Sequence, residues 1–203
     1  MRKLIVFLML LASCVGCQVR GRMAVVGDSI AHLEIEELNA ALAHRDPRDL
    51  VVPWAAVPGG MLGRDGAAYE RTIRAVYDSG ERADAAFVSF LSNDMGEYEE
   101  MPWWDDRQPW TRLDSPEKMR EAIDRILGVL PDRVFWLAPC GPALPPERRA
   151  AAHLALEEAR ARWPGLQVLY LPEDFYSADG VHLSPIGEVR LSERIRDAWD
   201  AVR

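Results

Sequence analysis

Cysteine is scarce in this chain, and its distribution excludes a disulfide-rich fold. Only three cysteines occur among 203 residues, and two of them, Cys14 and Cys17, lie near the N-terminus. Small secreted domains that lack a sizeable core depend on several paired cysteines, and no such framework exists here. At this length, and with 49% hydrophobic residues, a single domain can be stabilised by its hydrophobic core.

Basic residues are outnumbered by acidic ones. The chain has 24 Lys and Arg against 32 Asp and Glu, which gives a formal net charge of −8. A nucleic-acid partner requires a basic surface that contacts phosphates. We therefore expect no nucleic-acid partner.

Metal-ligand patterns are missing as well. None of the four histidines stands in the spacing of a zinc site. The acidic residues between positions 94 and 114 lack the spacing of a calcium loop. The sequence therefore predicts no metal site.

The apolar run at the N-terminus is too short to span a bilayer comfortably. It covers residues 4–12, follows a basic start, and ends in Leu11-Ala12-Ser13-Cys14. That ending resembles a bacterial lipobox. We interpret residues 1–17 as a signal peptide with a lipobox, in which Cys14 or Cys17 is lipidated.

This interpretation places the protein in the bacterial cell envelope as a membrane-anchored lipoprotein. Neither Cys14 nor Cys17 is followed by Asp, the usual cue for retention in the inner membrane, so the outer membrane is expected if the host is Gram-negative. Secretion without an anchor and retention of the leader as an uncleaved anchor are the alternatives.

The stretch Val25-Val26-Gly27-Asp28-Ser29-Ile30 predicts a strand, a tight turn and a helix. A serine in such a turn lies at the carboxyl edge of a sheet, where open α/β folds bind ligands. The backbone N–H groups of the following helix can stabilise an oxyanion there. Asp and Ser are also common N-caps, so a simple capped helix is the alternative.

A second motif lies near the C-terminus, where Asp179 precedes His182 by three residues. The carboxylate can hold one imidazole nitrogen while the other accepts a proton from a serine. Ser184-Pro185 then provides an N-cap and a proline for the last helix. The alternative is an ordinary Asp-Gly turn beside a surface histidine.

Together the two motifs resemble the SGNH hydrolases, also called the GDSL esterase-lipase family. Members carry a glycine after strand two and an asparagine after strand three as oxyanion-hole donors. The matching positions are Gly59 (or Gly60) and Asn93. One departure is Leu91, which stands where the family usually has a glycine that relieves crowding beside the substrate.

Strands alternating with helices predict a three-layer α/β/α fold with a parallel sheet. The resemblance implies a flavodoxin-like sheet of five strands in the order 2-1-3-4-5, within an SGNH hydrolase domain at residues 22–203. We predict strands at 23–27, 49–56, 83–91, 133–138 and 166–171. We predict helices at 30–44, 67–77, 115–127, 146–163 and 184–202.

The resemblance implies a serine esterase or deacylase that hydrolyses an acylated glycan or lipid without a cofactor. Ser29 is the expected nucleophile, His182 the base, and Asp179 the residue that orients it. The oxyanion hole is expected from the N–H groups of Ser29 and Gly59 and the side chain of Asn93. Two alternatives stay open: an O-acyltransferase acting on envelope polysaccharide, and an inactive glycan-binding lipoprotein.

Three secondary expectations concern residues outside the motifs. His32 is expected at the surface, and Glu34 is expected in solvent beside an apolar face that includes Leu33. Cys140 is expected to be a semi-buried thiol, with no nearby histidine that supports a role as nucleophile. The tryptophans of segment 94–114 either bind substrate or pack the loop in place.

Overall fold

The structure of the chain, a computed structural model, describes residues 21–95 and 113–201. The predicted signal peptide, with Cys14 and Cys17, lies outside the described residues. So do the three tryptophans of the segment 94–114.

Five parallel strands form one sheet in the order β2-β1-β3-β4-β5. This confirms the flavodoxin-like order. The strands span Gly21–Gly27 (β1), Asp49–Ala56 (β2), Ala85–Ser89 (β3), Val134–Leu137 (β4) and Leu166–Leu169 (β5).

Five helices connect and follow the strands in the described residues. They span Ser29–Arg45 (α1), Leu62–Asp78 (α2), Pro116–Leu127 (α3), Pro146–Arg162 (α4) and Pro185–Ala201 (α5). The start of α5 is set as predicted, because the Ser184 hydroxyl accepts the Gly187 N–H at 3.1 Å.

The helices form two layers, one on each face of the sheet. Helix α1 packs on α5, whereas α2 packs on α3 and α3 packs on α4. The chain passes from β1 outward to β2 and then returns across β1 to β3. Because such crossovers are right-handed, α1 and α2 lie on opposite faces. The strand order therefore reverses beside β1, which is where open α/β sheets bind ligands.

The central strands are buried on both faces, as a parallel sheet between helices requires. All five residues of β3 are buried. Next to them Phe90 packs edge-on against Tyr69 of α2, with ring centroids 4.7 Å apart, and contacts Trp136 of β4. This core holds the carboxyl ends of β1 and β3 in fixed positions.

Two side chains of α1 are placed opposite to the prediction. Leu33 is 52% exposed, whereas Glu34 is fully buried. Glu34 faces α5, where its Oε2 accepts the Ser192 hydroxyl at 3.1 Å. The expectation of a solvated Glu34 is wrong because the partner on α5 lies far away in the sequence.

Helix α2 begins five residues earlier than predicted. Its first N–H groups, of Leu62 and Gly63, donate to the Asp94 carboxylate at 2.8 and 2.7 Å. The first turn is therefore capped from another part of the chain rather than by its own N-cap, which makes no side-chain cap.

None of the helices in residues 21–95 and 113–201 combines the length and apolar character that crossing a membrane requires.

Candidate active site

Ser29 is the first residue of α1, directly after the end of β1. The preceding residue, Asp28, is the N-cap, and its Oδ1 accepts the Ile30 N–H at 3.0 Å. The N–H groups of the first helical turn have no acceptor within the helix, so the Ser29 N–H is a candidate donor to a ligand.

The structure brings Ser29, His182 and Asp179 together. The Ser29 Oγ lies 3.0 Å from the His182 Nε2, and the His182 Nδ1 lies 2.7 Å from the Asp179 Oδ2. Ser29 and His182 are 153 residues apart in the sequence. Both distances are within the range of a hydrogen bond, so the three side chains can form a hydrogen-bonded triad in which the imidazole exchanges a proton with Ser29.

The surroundings of Asp179 keep its carboxylate ionised. Its Oδ1 accepts the Ser177 hydroxyl at 2.7 Å and the backbone N–H groups of Val181 and His182. These bonds, led by that of Ser177, hold the pKa of Asp179 well below its usual range.

This charge state also sets the tautomer of His182. An ionised carboxylate can only accept a hydrogen bond, so the proton that joins it to the imidazole is on Nδ1. In neutral His182 the Nε2 then carries a lone pair and can accept the proton of the Ser29 hydroxyl.

The loop that carries Asp179 and His182 is closed on itself. The Ser177 N–H donates to the His182 carbonyl at 2.8 Å, and the Gly180 N–H donates to the Ser177 carbonyl at 2.9 Å. Gly180 has φ +68°, and its carbonyl accepts the Ala143 N–H. The loop is thus held both internally and against the segment that follows β4.

Gly59 and Gly60 differ in what their backbones do. The Gly60 N–H donates to the Val57 carbonyl at 3.0 Å, and an added Cβ there would collide with the Tyr69 hydroxyl. Gly59 has φ +72°, and an added Cβ would meet nothing. No described residue accepts the Gly59 N–H, so Gly59 is the better oxyanion-hole candidate of the pair.

Asn93 lies beside this loop. Its side-chain Nδ2 donates to the Gly60 carbonyl at 3.0 Å, which ties the loop after β3 to the loop after β2. Both loops start next to the end of β1, because Gly27 pairs with Ala56 of β2 and with Ser89 of β3. The second N–H of the Asn93 amide can serve a ligand at the same edge.

Leu91 has a backbone conformation that is unusual for a residue with a side chain. It is fully buried and has φ +82°, the only positive φ of a non-glycine residue in residues 21–95 and 113–201. This backbone region favours glycine. A glycine, which the family that the sequence resembles usually has at this position, would therefore suit the conformation of the chain.

Several residues that support the site carry no recognisable signal in the sequence. Ser177 orients Asp179, Arg64 donates to the Gly59 carbonyl at 3.0 Å, and the Tyr69 hydroxyl donates to the Gly27 carbonyl at 3.2 Å. Asp94, which also supports the site, does have such a signal, because it directly follows the motif residue Asn93. The contacts of Arg64 and Tyr69 join α2 to other segments, and Ser177 acts through the folded shape of its own loop.

A buried carboxyl group lies directly behind the candidate nucleophile. Asp28 is 1% exposed, and its Oδ1 accepts the Ser89 hydroxyl at 3.1 Å. Burial raises its pKa to about 7, and the nearby Asp94 carboxylate adds to the effect. Burial likewise raises the pKa of Asp94 to about 6. Both carboxyl groups are therefore buried next to candidate site residues in the sequence, Asp28 beside Ser29 and Asp94 beside Asn93.

The histidines His32 and His153 lie in the described part of the chain, outside the candidate triad. His32 is exposed, as predicted. His153 of α4 lies 3.7 Å from the Cys140 Sγ, a contact that the sequence does not reveal. The His153 Nε2 also lies 2.9 Å from the Pro139 carbonyl.

That contact makes Cys140 a poor nucleophile. Only a protonated nitrogen can bind a carbonyl, so the His153 Nε2 carries a proton and cannot accept the one from the thiol. Burial moreover raises the pKa of Cys140, which disfavours the reactive thiolate.

In the part of the chain that the structure describes, no three or more His, Cys, Asp or Glu side chains are grouped as a metal site.

Known proteins share the fold of this chain at low sequence identity. No protein-family model matches the chain, and no curated protein sequence matches it. Among solved structures, Est24, a carbohydrate acetylesterase from Sinorhizobium meliloti, is similar at 15% identity and a TM-score of 0.63, over 91% of this chain and 100% of that one.

Two further structures are similar over nearly their whole length. TesA shares 17% identity and a TM-score of 0.60, over 90% of this chain and 99% of that one. The catalytic domain of peptidoglycan O-acetyltransferase A from Streptococcus pneumoniae shares 14% identity and a TM-score of 0.55, over 89% and 93%. At these identities the likeness establishes the α/β fold.

Proposed function

We propose that this chain is an SGNH hydrolase of the GDSL type, a serine esterase or deacylase acting on carboxylic esters of a glycan or a lipid. The observation that carries the proposal is the contact of the His182 imidazole with Ser29 on one side and Asp179 on the other, at 3.0 and 2.7 Å. The likeness in fold to a carbohydrate acetylesterase supports it.

In the proposed reaction the Ser29 Oγ attacks the ester carbonyl while the His182 Nε2 takes the hydroxyl proton. Asp179, which is ionised, stabilises the imidazolium that forms. The imidazolium then gives its proton to the departing alcohol as the C–O bond breaks. Water then attacks the acyl-enzyme while His182 takes its proton, and the proton returns to the Ser29 Oγ as the acid is released. The reaction therefore needs no cofactor.

Three donors are proposed to bind the developing oxyanion: the N–H of Ser29, the N–H of Gly59 and the side chain of Asn93. Each comes from a loop at the carboxyl ends of the neighbouring strands β1, β2 and β3. One such donor typically lowers the barrier by about 3 kcal/mol. The net of hydrogen bonds around Gly59 and Asn93 supports this role, because a preorganised donor need not reorient during the reaction.

Turnover of p-nitrophenyl esters of increasing chain length tests the proposal. Wild-type protein should hydrolyse the acetate or a longer ester, and Ser29→Ala and His182→Ala should each reduce kcat to background. Asp179→Asn should lower kcat by up to about 10⁴-fold, and by less if water replaces the exposed carboxylate. A wild-type protein inactive on every ester, or an active Ser29→Ala variant, would overturn it.

The same assay separates hydrolysis from acyl transfer. Adding a glycan acceptor to the acetate reaction gives free acetate if water resolves the acyl-enzyme, and an acetylated glycan if the sugar hydroxyl does. An O-acyltransferase would show turnover that rises with acceptor concentration. A glycan-binding protein without activity would bind the acceptor and release nothing.

We also propose that the mature protein is a lipoprotein of the bacterial envelope, acylated at Cys14 or, alternatively, Cys17. The sequence Leu11-Ala12-Ser13-Cys14 supports this proposal. Mass spectrometry of the mature N-terminus should find a diacylglyceryl or triacyl cysteine, and the protein should sediment with membranes. An unmodified N-terminus beyond Cys17 would indicate a secreted esterase.

A further inference from the structure

The guanidinium of Arg64 contacts the loop that carries the proposed oxyanion donor Gly59. Its Nη2 donates to the Gly59 carbonyl at 3.0 Å. Its Nε and Nη2 also bind the Asp65 carboxylate, at 2.9 and 2.6 Å. The side chain is 23% exposed and its partner carboxylate 29% exposed, so solvent weakens the pair less than it would on an open surface.

Gly59 depends on such contacts because packing does not hold it. It is exposed, it lies at φ +72°, and the space around its Cα is open. A glycine has wide backbone freedom, so the direction of its N–H is set by hydrogen bonds on the neighbouring peptide groups. The peptide that joins Gly59 to Gly60 is bound at both ends, by Arg64 at its carbonyl and by Val57 at its N–H.

Arg64 is itself placed by the hydrogen bonds at the start of α2. The Asp65 Oδ2 that binds the guanidinium also accepts the Met61 N–H at 3.0 Å. The next two N–H groups of the chain are bound by the buried Asp94. The guanidinium is therefore fixed relative to the first turn of α2, and its bond to Gly59 has a defined direction.

We propose that Arg64 is a positioning residue, oriented by Asp65, that keeps the Gly59 N–H aimed at the oxyanion. This inference rests on the proposed esterase function. Arg64 acts on a donor whose bond strengthens in the transition state, so its loss should lower kcat and leave KM nearly unchanged. Removing an oxyanion donor outright costs about 10²–10³-fold in kcat, and a misdirected donor should cost about 10–100-fold.

The test compares Arg64→Met with a matched control, Arg74→Met. Arg74 lies on the same helix and also pairs with a carboxylate, that of Glu70 at 3.0 Å, but its side chain is 60% exposed. Both variants lose one positive charge and keep an apolar stem. Arg64→Met should show the fall in kcat with KM within about threefold, and Arg74→Met should match the wild type.

Two rescue measurements distinguish positioning from a general structural defect. Arg64→Lys keeps one charged donor and should recover part of the lost kcat. Added guanidinium chloride at low, non-denaturing concentration should raise the kcat of Arg64→Ala and leave the wild type unchanged. The thermal midpoints of the Arg64 and Arg74 variants should be similar.

The outcomes separate the two proposals. If the wild type hydrolyses no ester and Ser29 is not labelled by a fluorophosphonate, the proposed function fails and this inference falls with it. If the wild type is active and Arg64→Met keeps the wild-type kcat, only the role of Arg64 is refuted. A loss confined to KM, or one that follows the thermal midpoint with no rescue, also refutes that role.

Discussion

Replacing Glu34 with glutamine should abolish a pH dependence of folding stability that the structure assigns to this one side chain. Glu34 is fully buried between α1 and α5, with one oxygen bound to Ser192 and the other without a partner among the described residues. Burial raises its pKa from 4.5 to about 8, and the nearby carboxylates of Glu188 and Glu37 add to the effect.

The sign and size follow from proton linkage. In the unfolded chain this carboxyl group ionises at its ordinary value of 4.5, whereas in the folded chain it keeps its proton up to about pH 8. Between these values the folded state binds more protons, so the free energy of unfolding falls by about 1.4 kcal/mol per pH unit as the pH rises. From about pH 5 to about pH 7.5 the contribution of Glu34 is a loss of about 3 kcal/mol.

Urea unfolding across this range measures the effect as a difference between proteins. Glu34→Gln is neutral at every pH, so it should gain about 3 kcal/mol relative to the wild type from about pH 5 to about pH 7.5. Glu36→Gln, at an exposed position of the same helix, removes the same formal charge and should run parallel to the wild type. A constant difference between Glu34→Gln and wild type would refute the reasoning, because Glu34 would then not hold its proton in the fold.

Three further predictions address the edge of the sheet. In urea unfolding, the free energy of unfolding of Leu91→Gly should be about 1 kcal/mol higher than that of Leu91→Ala, because both lose the buried side chain and only glycine relieves the positive φ. A more stable Leu91→Ala variant would contradict this prediction. Gly60→Ala should destabilise the protein by more than Gly59→Ala in thermal unfolding, since it collides with Tyr69 whereas the latter costs only about 1–2 kcal/mol of backbone strain. His32→Ala should keep wild-type kcat on p-nitrophenyl acetate, and a loss of activity there would show that the base is misassigned.

Much of the fold could be predicted because its signals are local. The continuous apolar run that begins at Ala85 indicates the buried strand β3, and Ser184-Pro185 indicates the start of the last helix at the right residue. The alternation of these elements then leaves few topologies, since right-handed crossovers exclude the rest. The start of α2 was misplaced because its N–H groups are bound by Asp94, which lies on a different segment.

In the candidate site, too, the residues in local motifs could be predicted from the sequence and the others could not. The residues of the Ser29 turn and the pair Asp179 and His182 stand in short motifs, because a turn and a neighbouring acid–base pair are determined over a few residues. The oxyanion candidates were identified only through the resemblance to a known family. The choice between Gly59 and Gly60 required the structure, in which the Gly60 N–H is already bound to a carbonyl.

The sequence by itself determined the approximate positions of the strands and helices, their order along the chain, and the motifs that carry the proposed chemistry. Only the tertiary structure decided which side chains support those motifs and which polar groups are buried. Glu34 illustrates the difference, since its hydrogen-bond partner Ser192 is 158 residues away. Helical periodicity predicts that one face is buried, but it cannot tell whether the opposing helix offers a hydroxyl to a carboxyl group on that face. Such pairings arise only when distant segments pack, so no local pattern contains them.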